Sequence, residues 1–302
     1  MAVQLGALAP FGDIGGAPDT VREFAQGVEA LGYDFLEAPD HVLGVNAASR
    51  PDWEAGRNTS ADLFHDPFVL FGFLAGVTPK LGFSTGVLIL PQRQTALVAK
   101  QAACLDVLCK GRFRLGIGVG WNEVEFVGLN ETFGNRGRRS EEQVQLMQAL
   151  WAQDHVRFKG RYHTIEDAGI NPRPAGGRVP VWYGGHHERT LPRIAKWGNG
   201  WMPNAYPPDS SALEIFAQLR RLTEAEGRDP AEVGIEVWTS CGSGGPADWA
   251  REARFWKDAG ATHLCLTTTF NRRHHRRIAG TSVDAHLAAL RAWRAAVVDA
   301  VL

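Results

Sequence analysis

Short, nearly continuous apolar runs alternate along the chain with stretches whose apolar residues recur at i, i+3, i+4 and i+7. The runs Val3–Leu8, Phe35–Ala38, Leu81–Thr85, Arg114–Val119, Val181–Tyr183, Gly200–Pro203, Ile235–Thr239 and Leu264–Thr268 read as strands buried on both faces, as in a parallel sheet. In the first helical stretch Val21, Phe24, Ala25 and Val28 share a face, and Thr20 with Glu23 has the spacing of a capping box. Further helices are expected over Asp66–Val77, Ala96–Leu108, Ser140–Trp151, His187–Trp197, Ala212–Glu226, Ala247–Asp258 and Val283–Val301. Eight strands, each followed by a helix and with no break in composition, imply a closed (β/α)8 TIM barrel formed by residues 1–302 as a single domain. The competing arrangement is a doubly wound open sheet with a small extra domain.

Three connections are longer than such a barrel needs. Residues 42–64 follow the second strand, are rich in Asn, Ser, Gly and Arg, and are expected to form a lid carrying Trp53. Residues 153–180 contain HVRFKGRYHTIED, which alternates like a hairpin around Lys159-Gly160. The third, Phe270–Ser282, follows the last strand and includes NRRHHRR, with Arg272 to Arg277 as its basic run.

Composition narrows the class. The 302 residues are 44% hydrophobic and 22% charged, which suits a large buried core in a water-soluble protein. A formal net charge of −1 gives no global attraction to nucleic acid or an anionic membrane. No apolar run approaches the roughly 20 residues of a spanning helix, and the start, MAVQLGALAPFGD, reads as a first strand rather than a signal peptide. Cys104, Cys109, Cys241 and Cys265 form no CxxC pair, so no metal site and no disulfide framework is expected, and reduced thiols fit a cytoplasmic location.

In a barrel, the residues just past each strand converge on one mouth. Here they are Phe11-Gly12, Asp40-His41, Gly86-Val87-Leu88-Ile89, Gly118-Val119-Gly120-Trp121-Asn122, Gly184-Gly185-His186, Trp201-Met202, Trp238 and Thr268-Thr269-Phe270. Glycines, aromatics and a few polar groups together suit a large planar ligand with an anionic tail: flat walls, close backbone approach and N–H donors. Gly184-Gly185-His186, between a strand and a helix, offers N–H groups to a phosphate, although paired glycines also serve any tight turn. Gly118-Val119-Gly120 lacks the third glycine and placed acid of a dinucleotide fingerprint, which argues against a Rossmann domain. Asp40-His41 is an ordinary polar turn unless hydride chemistry occurs beside it. In that case a histidine that titrates near neutrality is what the accompanying proton needs.

The stretch STGVLILPQRQTALVAKQAACLDVLCKGRFRLGIGVGWNEVEF, with EAPDHVL before it and NPRPAGGRVPVWYGGHHERTLPRIAKWGNGWMP after it, resembles the luciferase-like monooxygenase superfamily over most of the chain. The resemblance is nearest to enzymes that use coenzyme F420, a 5-deazaflavin. It implies a luciferase-like barrel, an oxidoreductase moving a hydride between F420 and a small organic substrate, and a homodimer. It also implies that Asp40 and His41 lie near the reactive face of the cofactor, with His41 as proton donor or substrate contact. Gly86-Val87 would carry a non-proline cis peptide backing the central ring, with Ile89 on the same wall, while Gly118, Gly120 and Asn122 flank the cofactor and Gly184, Gly185 and His186 take its phosphate. Trp121 stands where the family's sugar-phosphate dehydrogenases carry a catalytic glutamate, and Glu123 and Glu125 look like poor substitutes. The basic run Arg272–Arg277 is either a solvated loop or a clamp for the glutamate tail of F420. An FMN-dependent monooxygenase using reduced flavin and O2 is the alternative, and a flavin-binding barrel without catalysis is a third.

Overall fold

The computed structural model describes residues 2–53, 58–204 and 206–301. Its frame is a ring of eight parallel strands: β1 (Gln4–Leu8), β2 (Phe35–Ala38), β3 (Gly82–Thr85), β4 (Phe113–Gly118), β5 (Val181–Gly184), β6 (Gly200–Met202), β7 (Gly234–Ser240) and β8 (His263–Thr267). Each strand pairs with its neighbours in chain order, and β1 closes on β8 in the register Leu5 to Leu264 and Ala7 to Leu266. The barrel is therefore complete, and the open-sheet arrangement is excluded.

Two packing regions follow from the two faces of each strand. Between strands and helices lies the large apolar core, with Leu36, Phe71, Phe83, Val98, Phe113, Trp151, Trp256 and Trp293 all buried. Inside the ring the filling is mixed. Phe35 and Trp182 both pack on His263, with ring centres 5.7 and 4.8 Å away. The Arg114 guanidinium lies between the same two rings, 4.3 Å from Phe35 and 4.5 Å from Trp182. Small residues make room: a Cβ on Gly6 would come within 2.1 Å of the Phe35 ring, and one on Gly200 within 2.3 Å of Trp182.

Helix ends depart from expectation in two places. The first long helix is Pro18–Ala30 with Ala17 at its N-cap, so Thr20 and Glu23 form no capping box. Pro18, with its fixed φ, starts the helix three residues before the position that a Thr20 cap implies. The helix after β5 begins at Thr190, not His187, which leaves a longer turn past the paired glycines. Asp66 behaves as a helix start should, with its carboxylate accepting from the N–H groups of Phe68 and Val69.

Residues 153–180 contain the expected hairpin, Val156–Lys159 against Thr164–Ala168. Glu142 anchors it by accepting from the N–H groups of Arg161, Tyr162 and His163. In the 42–64 connection Val45 bridges to Thr59, and Asn46 caps a short turn at Ala47–Ser49. Residues 54–57 of the expected lid lie outside the described residues. No helix among the described residues is long and apolar enough to cross a membrane.

Candidate active site at the barrel mouth

The wall of the mouth is built on β3. The Gly86–Val87 peptide is cis, and Gly86 donates to the Ala38 carbonyl at 2.8 Å. A Cβ on Gly86 would overlap the Glu37 carboxyl, 2.2 Å from its Oε1, so only glycine fits above that acid. The Val87 side chain is seated between strands: a Cβ on Gly118 would lie 2.6 Å from its Cγ2, and one on Gly184 2.9 Å from its Cγ1. Gly120, with φ of 73°, clears the Ile89 side chain in the same way. These glycines make room for the Val87–Ile89 wall, a more specific reason than close backbone approach to a ligand.

On one side of that wall opens a cavity of about 610 Å³. Val87, Ile89, Gly118, Gly120, Gly184, Gly185 and His186 all line it. Gly185 has φ of 104°, and its surroundings are open: a Cβ there would stand 3.7 Å from Thr190 Oγ1. His186 Nε2 lies 2.9 Å from Asn204 Oδ1. Burial lowers its pKa, the Asn204 bond opposes that, and nearby Arg273 adds to the lowering. Four arginines also line the cavity: Arg136, Arg138, Arg189 and Arg193. Arg193 is held by Glu141 at 2.6 Å, and Arg136 donates to the Gly120 carbonyl while lying 3.7 Å above the Phe133 ring. Reasoning from strand ends misses these arginines, although NRGRRS at residues 135–140 is a visible basic cluster next to glycines.

A second cavity of about 420 Å³ lies on the β1–β2 side, walled by Phe11, Phe64, Trp238 and Phe270, with His41 and Asp13 among its polar groups. His41 Nδ1 lies 3.1 Å from Oε2 of Glu125, whose side chain is only 1% exposed. Oε1 of Glu125 accepts from the N–H groups of Val42 and Leu43, at 2.8 and 3.2 Å. Burial pushes the Glu125 carboxyl up, but the His41 bond and the two N–H groups outweigh it, and the net shift is downward. A proton on Nδ1 of His41 is donated to Glu125; without it, Nδ1 accepts from the Asn58 amide 2.9 Å away, which also donates to the Leu43 carbonyl. Phe64 and Trp121 pack edge-on to the ring, 4.9 and 6.0 Å away.

Two expectations for the mouth need correction. Asp40 does not face it beside His41: 2% exposed, its carboxylate binds the Ile89 N–H at 3.0 Å and Arg93 Nη2 at 2.7 Å, which fixes the wall from behind. Asn122 is also buried, capping the helix Glu123–Gly128 through the Val124 N–H. That helix turns Glu125 inward, so an acid that looks like a poor catalytic substitute in the sequence is the one that holds His41. Trp121 packs at a tilt against Trp53, with ring centres 5.6 Å apart. In the basic run Arg272, Arg273, Arg276 and Arg277 are exposed, Arg277 pairs with Asp13 at 2.7 Å, and His275 alone is fully buried.

Comparison with known proteins agrees with this architecture. The family model described as luciferase-like monooxygenase matches residues 4–301. The uncharacterized protein Rv0940c of Mycobacterium tuberculosis is 33% identical over 70% of this chain and 74% of its own. Pyrimidine monooxygenase RutA of Allorhizobium ampelinum is 29% identical over 75% of this chain and 64% of its own. Among solved structures, an F420-dependent secondary alcohol dehydrogenase in complex with an F420-acetone adduct superposes with a TM-score of 0.74 at 22% identity, covering 98% of this chain and 99% of that one. With nearly the whole chain matched in sequence and in fold, this protein belongs to the luciferase-like monooxygenase family.

Proposed function

We propose that the protein is an F420-dependent oxidoreductase that moves a hydride between the deazaflavin and a small organic substrate. The observation that carries the reading is the division of the mouth into two cavities: one lined by arginines beside the Gly184-Gly185 turn, the other apolar and holding His41. The donor set of the first fits a phosphate followed by a chain of carboxylates better than a lone phosphate. Arg136, Arg138, Arg189 and Arg193 exceed what one phosphate needs, and N–H groups at Gly185 add to them. Val87 and Ile89 offer an apolar surface for a flat ring. When bound, the deazaflavin supplies the hydride donor or acceptor.

The chain's own residues do the rest. Phe11, Phe64, Trp238 and Phe270 exclude water and position an apolar substrate skeleton. Glu125 fixes His41 as the Nδ1–H tautomer, leaving Nε2 to accept a proton from a substrate hydroxyl or, once protonated, to return one to a carbonyl. Glu125 also stabilises the imidazolium that forms. Reduction of a carbonyl or unsaturated compound is the favoured direction. The protein acts as a homodimer in the cytoplasm.

A flavin-dependent monooxygenase is the second reading, favoured by the likeness to RutA. Oxygen separates the two, because reduced flavin reacts with it readily and a reduced deazaflavin essentially does not. The test is anaerobic oxidation of reduced F420 by a panel of ketones and enones, run with parent protein and His41→Ala. Turnover by the parent, lost in the variant without loss of F420 affinity, is expected. Oxygen consumption with reduced FMN, and none of the anaerobic reaction, would replace this reading with the second.

A further inference from the structure

We propose that Glu37 and Glu236 share one proton inside the barrel, with Glu37 as a neutral carboxyl that donates to Glu236 while accepting from Trp238, and that this bond positions the Trp238 wall of the substrate cavity. One carboxylate oxygen of Glu37, one of Glu236 and the Sγ of Cys265 lie within 4.8 Å of one another, and all three residues are fully buried. Each acid has one partnered and one unpartnered oxygen. Glu37 Oε1 accepts from Trp238 Nε1 at 2.8 Å, and Glu236 Oε2 from Arg114 Nη2 at 2.7 Å. Glu37 Oε2 and Glu236 Oε1 have no donor among the described residues. Two ionised carboxylates would leave both oxygens as facing acceptors, which is costly in a site closed to water. One proton between them satisfies both at once.

Charge leads to the same arrangement. Among the described residues Arg114 is the cation paired with these acids, and it is committed to Glu236 and stacked between Phe35 and Trp182. It balances one negative charge, not two. Cys265, pushed up by burial and then by the two acids, stays a neutral thiol and brings no charge. Burial first, and Glu236 second, hold the Glu37 carboxyl well above the usual carboxylate range, in agreement with the geometry.

Position gives the pair its role. Trp238 packs on Phe270 at 5.3 Å, and both line the cavity that contains His41. Glu37 also sits directly under Gly86, whose Cβ position its carboxyl occupies. The acid thus supports both the Val87 wall and the Trp238 wall, so Glu37 is a positioning residue that does not touch the substrate. Arg114 stands where a divalent cation bound by the same oxygens would be repelled.

The test is infrared difference spectroscopy of the full-length protein at neutral pH, with metal analysis of the same sample. It depends on neither the cofactor nor the reaction, so it can fail while the functional reading stands. A carbonyl band of a protonated carboxyl group is expected in the parent and absent in Glu37→Gln. That variant still folds, because its amide can accept from Trp238 and donate to Glu236. Trp238→Phe should move the band to higher frequency, because the carbonyl loses a donor. No band lost in Glu37→Gln, or a stoichiometric metal ion in the parent, would overturn the proposal. So would a band unmoved by Trp238→Phe.

Discussion

Replacing Glu125 with Gln separates the two tasks assigned to this residue. The amide oxygen can keep the bonds from Val42 and Leu43, at 2.8 and 3.2 Å, so the loop after β2 holds its place. The new NH2 then faces Nδ1 of His41, where Oε2 had accepted at 3.1 Å, and drives the ring proton to Nε2. Losing the charge-assisted His41 bond, and with it the weak 3.4 Å bond that Oε2 accepts from Gln92 Nε2, costs about 1.5–3 kcal/mol of stability. A misplaced general acid–base lowers kcat/KM by roughly 10²-fold or more. Glu125→Ala would instead strand two N–H groups and open a void, costing about 2–5 kcal/mol. The sign of the acid limb follows from the lowered folded pKa of Glu125. Its stability contribution is present above the unfolded value and lost as pH falls through the folded one, so Glu125→Gln should flatten that slope. Nitrogen-15 NMR of His41, thermal melts and kcat/KM against pH read the three effects. Unchanged kcat/KM with an unchanged His41 tautomer would show that Glu125 does not position the histidine.

Other perturbations follow from the same geometry. Gly118→Ala puts a methyl within 2.6 Å of Val87 and should both weaken cofactor binding and lower the melting temperature, as isothermal titration and thermal melts would show. Gly200→Ala meets Trp182 at 2.3 Å inside the closed barrel and should destabilise by about 1–3 kcal/mol or more in urea melts. Arg136→Gln and Arg138→Gln should each weaken F420 binding and reduce its salt dependence, measured by fluorescence titration at two ionic strengths. His275 is held down to about 4 by burial and then by His274, against an ordinary 6.5. The unfolded chain therefore takes up a proton that the folded one refuses, and stability falls as pH drops from 6.5 toward 4. The His275 share is about 3 kcal/mol at its upper limit. His275→Phe should remove that part of the slope.

The barrel is legible because its strands are buried on both faces and its helices on one, so apolar period alone separates them. The cores of Val181–Gly184 and Thr190–Trp197 show the limit of that signal, since the turn between them is set by glycine geometry rather than by period. Position in the chain puts the glycines at 86, 118, 120 and 184 at the mouth, but it does not give their reason. Which side chain fills the space beside a glycine is a tertiary fact, and here the fillers are Glu37, Val87 and Ile89. Glu125 escapes a sequence reading because it reaches His41 across 84 residues, through a short helix that no run of residues announces. Asp40 reads as a mouth residue because it shares a loop with His41. Backbone direction turns Asp40 to Arg93 and His41 to the cavity. The barrel interior is illegible for a related reason: Arg114, Glu37 and Glu236 are lone charges in three apolar strands, and only closure brings them together.

A deazaflavin in the arginine-lined half of the mouth is the central claim, on which cofactor and reaction both depend. Parallel titrations of the purified protein with F420 and with FMN, under identical ionic strength, test this most directly. F420 should bind tightly and FMN weakly, with the difference shrinking as salt rises. Tight FMN binding with weak F420 binding would contradict the assignment of the cofactor and the reaction built on it.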